Sequence, residues 1–223
     1  MSQAIGQVLS FAVGVALSPI PIIGVVLMLG TPRARANGLA FIAGWVTGLA
    51  VVGTAVLLLA GGTDASNSGE PATWVDWLKL VLGVALLLVA VRQWRGRPAE
   101  GETAELPAWM PAIDTFKPAK AAGLAVLLAA VNPKNLLLTV GAAAAIAQTG
   151  ASAGAQAVAL AVFVVIGTLG PGAPVALYFA LGERSAEKLE SLRTWMAAHN
   201  AAIMAVLCLV IGAKLIGDAI AGL

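Results

Sequence analysis

Four residues in the run AVNPKNLLL carry more chemistry than any others in the chain: Asn132, Pro133, Lys134 and Asn135. They sit inside an apolar stretch, where a cation, two amides and a helix breaker are each costly. Proline deletes one backbone hydrogen bond and opens the preceding turn. Asn132 can re-satisfy the freed backbone groups, and Lys134 can offer a positive charge to an anionic group or exchange a proton. The competing structural reading is a kinked helix with its lysine snorkelling or paired. A second break, LSPIPII, holds Ser18, Pro19 and Pro21. Ser18 is expected either to donate across to Asn132 or to bond back to its own helix. The two breaks together define the expected substrate-binding set: Ser18, Pro19, Pro21, Asn132, Pro133, Lys134 and Asn135.

Two further groups stand out. GTLGPGAPV contains Gly167, Gly170, Pro171, Gly172 and Pro174, a composition that implies an unwound or sharply bent segment. It reads either as a hinge or as a small-residue surface for close helix packing. Gly44, Thr47 and Gly48 form a similar small-residue surface, for which packing is the reading. Asp76 and Lys79 stand three apart, and Lys214 and Asp218 four apart. Each spacing places both groups on one helix face, as a local ion pair or as part of a gate. His199 is an isolated interfacial histidine, and Cys208 a small apolar core residue. HExxH and G-K-[ST] are missing, and no carboxylate pair lies within an apolar run. With one histidine and one cysteine, the chain reads as a non-enzyme without metal or cofactor.

The elements that must position these residues are long apolar runs. Of the 223 residues, 60% are hydrophobic and 11% charged, against about 25% charged in soluble domains. The net charge of +2 gives no ground for a nucleic-acid partner. Apolar residues on all faces identify six spans at 5–29, 39–59, 74–91, 121–147, 153–181 and 201–220, each close to the roughly 20 residues a bilayer requires. With no charge before Arg33, the first is expected to be a retained span and not a cleaved signal. The segment 92–120 is expected to be a linker, its first part flexible. Trp109, Met110, Ile113 and Phe116 in its second part suit the membrane interface. In 182–200, Leu189, Leu192, Trp195 and Met196 recur at helical spacing against charges, as in an interfacial amphipathic helix.

Orientation follows from the basic residues. Arg33 and Arg35 follow the first span, Arg92, Arg95, Arg97, Lys117 and Lys120 the third, and Arg184, Lys188 and Arg193 the fifth. The alternate loops have none, and Lys79, Lys134 and Lys214 lie within spans. Both termini are therefore expected outside the cytoplasm of a bacterial inner membrane. Three spans per half put the second half upside down relative to the first. The expected fold is all-α and integral to the membrane: six transmembrane helices as two inverted three-helix repeats, 1–94 and 120–223, joined by a cytoplasmic linker at 95–119. Helices one and four are broken by proline, and such matched breaks point to a transporter's binding site.

The blocks SPIPIIGVVLMLGTPRARANGLAFIAGWVTGLAVV and PAWMPAIDTFKPAKAAGLAVLLAAVNPKNLLLTVGAAAAIA resemble the peptidoglycolipid-addressing (GAP) family, also called Sap for sulfolipid-addressing, of the LysE exporter superfamily. The resemblance extends over essentially the whole chain. It implies an exporter or translocation factor that helps large envelope glycolipids reach the cell surface, acting beside lipid synthesis and export machinery. The wider superfamily exports amino acids and some ions, commonly using a gradient. The function expected is thus export of envelope lipid by alternating access. Gradient-driven export of a small polar solute and a non-transporting scaffold of a lipid-export assembly are the alternatives. The partners expected are membrane lipids, export machinery and a second copy of the chain in a homodimer.

Overall fold

A computed structural model describes residues 2–62, 73–97 and 110–223. The helices are α1 (Ser2–Ala16), α2 (Pro19–Leu29), α3 (Ala34–Gly62), α4 (Thr73–Arg95), α5 (Pro118–Ala130), α6 (Pro133–Gln148), α7 (Ala153–Leu181) and α8 (Ala186–Gly222). Two short 3-10 turns, Met110–Thr115 and Gly182–Ser185, complete the described structure. No strand occurs among the described residues. Trp109 and the linker's proline- and acid-rich part lie outside them.

Both expected breaks are present. α1 meets α2 at 51° and α5 meets α6 at 62°. Each second helix begins on a proline, whose fixed φ suits a first helical turn and whose missing N–H costs nothing there. By length and composition, Ala34–Ala60 and Ala153–Gly222 are apolar enough to cross a membrane, and the number rises to four if each bent pair is one span. The run Ala153–Gly222 holds two helices, α7 and α8. This count falls short of six. α4, which carries Asp76 and Lys79 near its start and Arg92 and Arg95 at its end, is not among the crossing segments. Large apolar side chains face outward along the helices, among them Leu58, Leu59 and Leu88. A soluble monomer rarely exposes so continuous an apolar surface, and a membrane supplies its complement.

The helices pack largely across the two halves of the chain. α4 lies along α8, α3 along α5, and α1 against α6 and α7, while α2 contacts α7 and α8. Missing side chains permit the closest approaches. A Cβ at Gly44 would collide with the Ala122 carbonyl, and one at Gly170 with the Ala16 carbonyl. Gly83 and Gly212 face each other across α4 and α8, each Cβ position 2.9 Å from the other's carbonyl oxygen. Between apolar helices in lipid, such backbone approach supplies the dispersion contact that water expulsion supplies elsewhere.

Two local expectations are corrected. The charged stretch before the last span is not a separate interfacial helix. Apart from the turn at Gly182–Ser185, it is the first part of the 37-residue α8, about 55 Å long at helical rise. Leu189 and Met196 are buried, while Trp195 stays exposed. Met110 and Ile113 are also buried in the core, where their turn packs on α2, and neither side chain faces outward. The Asn37 side-chain amide ties this turn down by donating to the Phe116 carbonyl at 3.0 Å.

Candidate functional site

At the first break, Pro19 cannot donate to the Val15 carbonyl, and the chain tightens. The Ser18 amide bonds to Val15 O at 3.2 Å. It thereby leaves the Gly14 carbonyl, its ordinary helical acceptor, without that donor. Ser18 occupies the N-cap position of α2, yet its hydroxyl caps no α2 amide. Its oxygen lies 2.6 Å from Val15 O and 2.8 Å from Asn135 Oδ1, and its one proton serves either acceptor.

At the second break, Val131 and Asn132 amides both turn to Leu127 O, at 2.9 and 3.1 Å. The Leu128 carbonyl therefore loses Asn132 as its helical donor. Asn132 caps α6 by accepting from the Lys134 amide at 3.1 Å, the usual satisfaction of an orphan N–H at a helix start. Asn135 donates its side-chain amide to Leu128 O at 3.0 Å. Thr139 donates to Asn135 O one turn further on, at 2.8 Å.

Lys134 joins the two breaks. Its Nζ donates to the Gly14 carbonyl and to Ser18 Oγ, both at 2.6 Å. At each break a carbonyl that has lost its helical donor, Gly14 O or Leu128 O, is met by a donor from a neighbouring side chain of α6. Ser18, Lys134, Asn135 and Thr139 are all buried, with Lys134 only 2% exposed. Among the described residues no carboxylate lies within ion-pair distance of Lys134. The amine is held by oxygen dipoles alone.

Of the expected binding set, Ser18, Lys134 and Asn135 meet directly. Pro19, Pro21 and Pro133 shape the breaks, Pro133 on the exposed side. The expected bond from Ser18 to Asn132 is absent: Asn132 is turned back onto its own helix, and Ser18 meets Lys134 and Asn135. The residue type was visible in the sequence, but the phase of the helix beyond the break was not. Gly14 and Leu128 take part through backbone alone, so nothing in their side chains signals it.

Gly167, Gly170, Pro171, Gly172 and Pro174 are not in an unwound segment. α7 is helical throughout, with both prolines inside it. Pro171 cannot bond to the Gly167 carbonyl, but the Trp45 indole N–H donates to that oxygen at 3.2 Å. A buried indole needs an acceptor, and here it repairs the ladder. Gly167 packs against Val15 and Leu49, and with Gly170 it supports the close-packing reading.

Asp76 and Lys79 pair at 3.3 Å with both side chains nearly buried, and Lys214 pairs with Asp218. Sequence reasoning missed Gln148, which donates to Asp76 Oδ1 at 2.8 Å. Its only signal was an amide at the end of an apolar run. Asp76, Lys79, Gln148 and Asp218 line a recess of about 320 Å³ together with Gln3 and Gln7 of α1. A second recess of about 410 Å³ lies between the end of α2 and the α7–α8 corner, near Thr31, Tyr178 and Glu183. Along α1 and α2, the Ser18–Lys134 contact falls between the two.

Such a chain, apolar outside and helical, with two bent helix pairs fastened break to break by buried polar groups, is a membrane protein with a polar centre. The family model described as Sap, sulfolipid-1-addressing protein, matches residues 8–221, and the chain belongs to that family. No curated protein and no solved structure matches it. Membership points to a lipid-related function at the membrane.

Proposed function

We propose that the protein is a translocation factor for envelope lipids in a bacterial inner membrane, working by alternating access of the LysE-superfamily type. The observation that carries this reading is the joint between the breaks, where Lys134 of one half holds Gly14 O and Ser18 of the other. A lysine buried near the middle of an apolar assembly is costly, and such residues commonly mark a transport path.

The packing pattern supports six spans in inverted repeats. If α1 to α4 correspond to α5 to α8, the contact of α1 with α7 mirrors that of α5 with α3. The contact of α2 with α8 mirrors that of α6 with α4, and Gly83 and Gly212 become counterparts on the pseudo-axis. The recesses above and below the joint suit a closed state between two access states. On the basic-residue rule, Thr31 and Glu183 lie toward the cytoplasm and both termini lie outside. The protein acts as a carrier and not as an enzyme, with membrane lipids as its partners. The tails of a lipid would stay in the bilayer while its head group passes the joint.

The experiment is a comparison of extractable surface lipids in a deletion strain and its wild-type complement. Loss of a surface lipid on deletion, restored by the complement, is the expected result. An unchanged lipid profile would sink the reading. Efflux of a water-soluble compound from loaded vesicles would then support the small-solute alternative. If lipid delivery needs the protein but survives every change at the joint, the scaffold reading gains.

A further inference from the structure

The recess at the start of α1 and the end of α6 has a chemistry that the joint does not use. Gln3 and Gln7, four apart on one face of α1, line it beside Gln148, Asp76, Lys79 and Asp218. An amide both donates and accepts, and a carboxylate accepts through two oxygens. Asp76 is paired with Lys79 and Asp218 with Lys214, so the charges are compensated locally. What remains is dense hydrogen-bonding capacity without a surplus of either sign. That combination suits neighbouring hydroxyls, each needing a donor and an acceptor, better than a sulfate or phosphate. The volume lies at the lower end of ligand pockets.

The surroundings suit an amphiphile. Trp77, Val81, Val84, Leu88 and Val91 form an exposed apolar stripe down α4 that starts beside Asp76. A head group in the recess would leave its tail free to run along this stripe within the bilayer. Gly222 closes the end of α8 onto the Asp76 carboxylate, where a Cβ would stand 2.7 Å from it.

We propose that this recess binds the uncharged, hydroxyl-rich head group of an amphiphile at the face where both termini lie. The choice of an amphiphile rests on the lipid-related reading above. Binding is measured directly, so its failure is distinguishable from a failure of export.

The test uses the full chain in phosphatidylcholine vesicles with a photoreactive alkyl glucoside, and chain-matched alkyl sulfate and alkylammonium probes. The expected result is preferential labelling by the glucoside of peptides containing Gln7, Asp76 or Gln148. Gln148→Leu should lower that labelling about fivefold, the scale of one lost hydrogen bond. Gln7→Leu, at a partly exposed position, should do the same and covers the case in which Gln148→Leu misfolds. Labelling of the recess near Tyr178 should not change in either variant. Stronger labelling by sulfate or ammonium, or equal glucoside labelling of wild type and both folded variants, would overturn the proposal.

Discussion

At Lys134 the proposed transport role can be separated from stability. Its amine makes hydrogen bonds to Gly14 O and Ser18 Oγ, and losing such partners in a buried site costs about 1–3 kcal/mol. Placing a lysine at the centre of a membrane helix costs about 2.5–3.5 kcal/mol on insertion scales. The two nearly cancel, because Lys134→Met removes the insertion cost together with the two hydrogen bonds. Lys134→Met should therefore leave the melting temperature in detergent within a few degrees of wild type, or raise it, while lipid delivery is lost. A large fall in melting temperature would make Lys134 a structural staple. Ser18→Ala removes one acceptor of the same amine and is expected to weaken delivery less than Lys134→Met, measured by the same surface-lipid extraction. The residue types at this site were legible because amides and a lysine are conspicuous in hydrocarbon. Their partners were not, since half of them are carbonyls exposed only when the chain bends.

At the scale of the helix, proline explains both what was readable and what was not. Pro19 and Pro133 end one helix and start another, so the sequence marks both bends. Pro171 and Pro174 carry the same local signal, yet α7 is helical through them. Trp45, which accounts for Pro171 by donating to Gly167 O, is 122 residues from Gly167 in sequence, and no local pattern announces it. The pairing yields a double-mutant test. Trp45→Phe keeps most of the ring but leaves the Gly167 carbonyl buried without its donor, and should destabilise by about 1–3 kcal/mol. In a Pro171→Ala background the residue-171 amide returns to that carbonyl, and the same change should cost about 1 kcal/mol less. Equal costs in both backgrounds would show that the indole acts through packing alone. The α1–α7 contact has its own test. Gly170→Val drives a side chain into the Ala16 backbone and should lower the yield of folded protein, whereas Gly172→Ala, which meets only Thr168 at 3.8 Å, should be tolerated.

For the whole molecule, the apolar composition made a helical membrane protein legible. The way the halves interlock was not legible, because nothing local specifies that α3 packs on α5 and α4 on α8. The full length of α8 was not legible, because its charged first third has an interfacial pattern. Orientation is testable with few changes, as the sole cysteine, Cys208, is buried. A cysteine at Gln3 should react with a membrane-impermeant thiol reagent added to intact cells, and one at Arg35 only after the membrane is opened. The reverse pattern would invert the topology and place the recess lined by Gln3 and Gln148 on the cytoplasmic side. The central claim is that the joint between the two breaks lies on the path of a lipid to the cell surface. Its most direct measurement is the surface-lipid profile of a deletion strain carrying Lys134→Met at wild-type membrane abundance. The account predicts that this strain lacks the same surface lipid as the deletion. Full restoration of that lipid by Lys134→Met would contradict it.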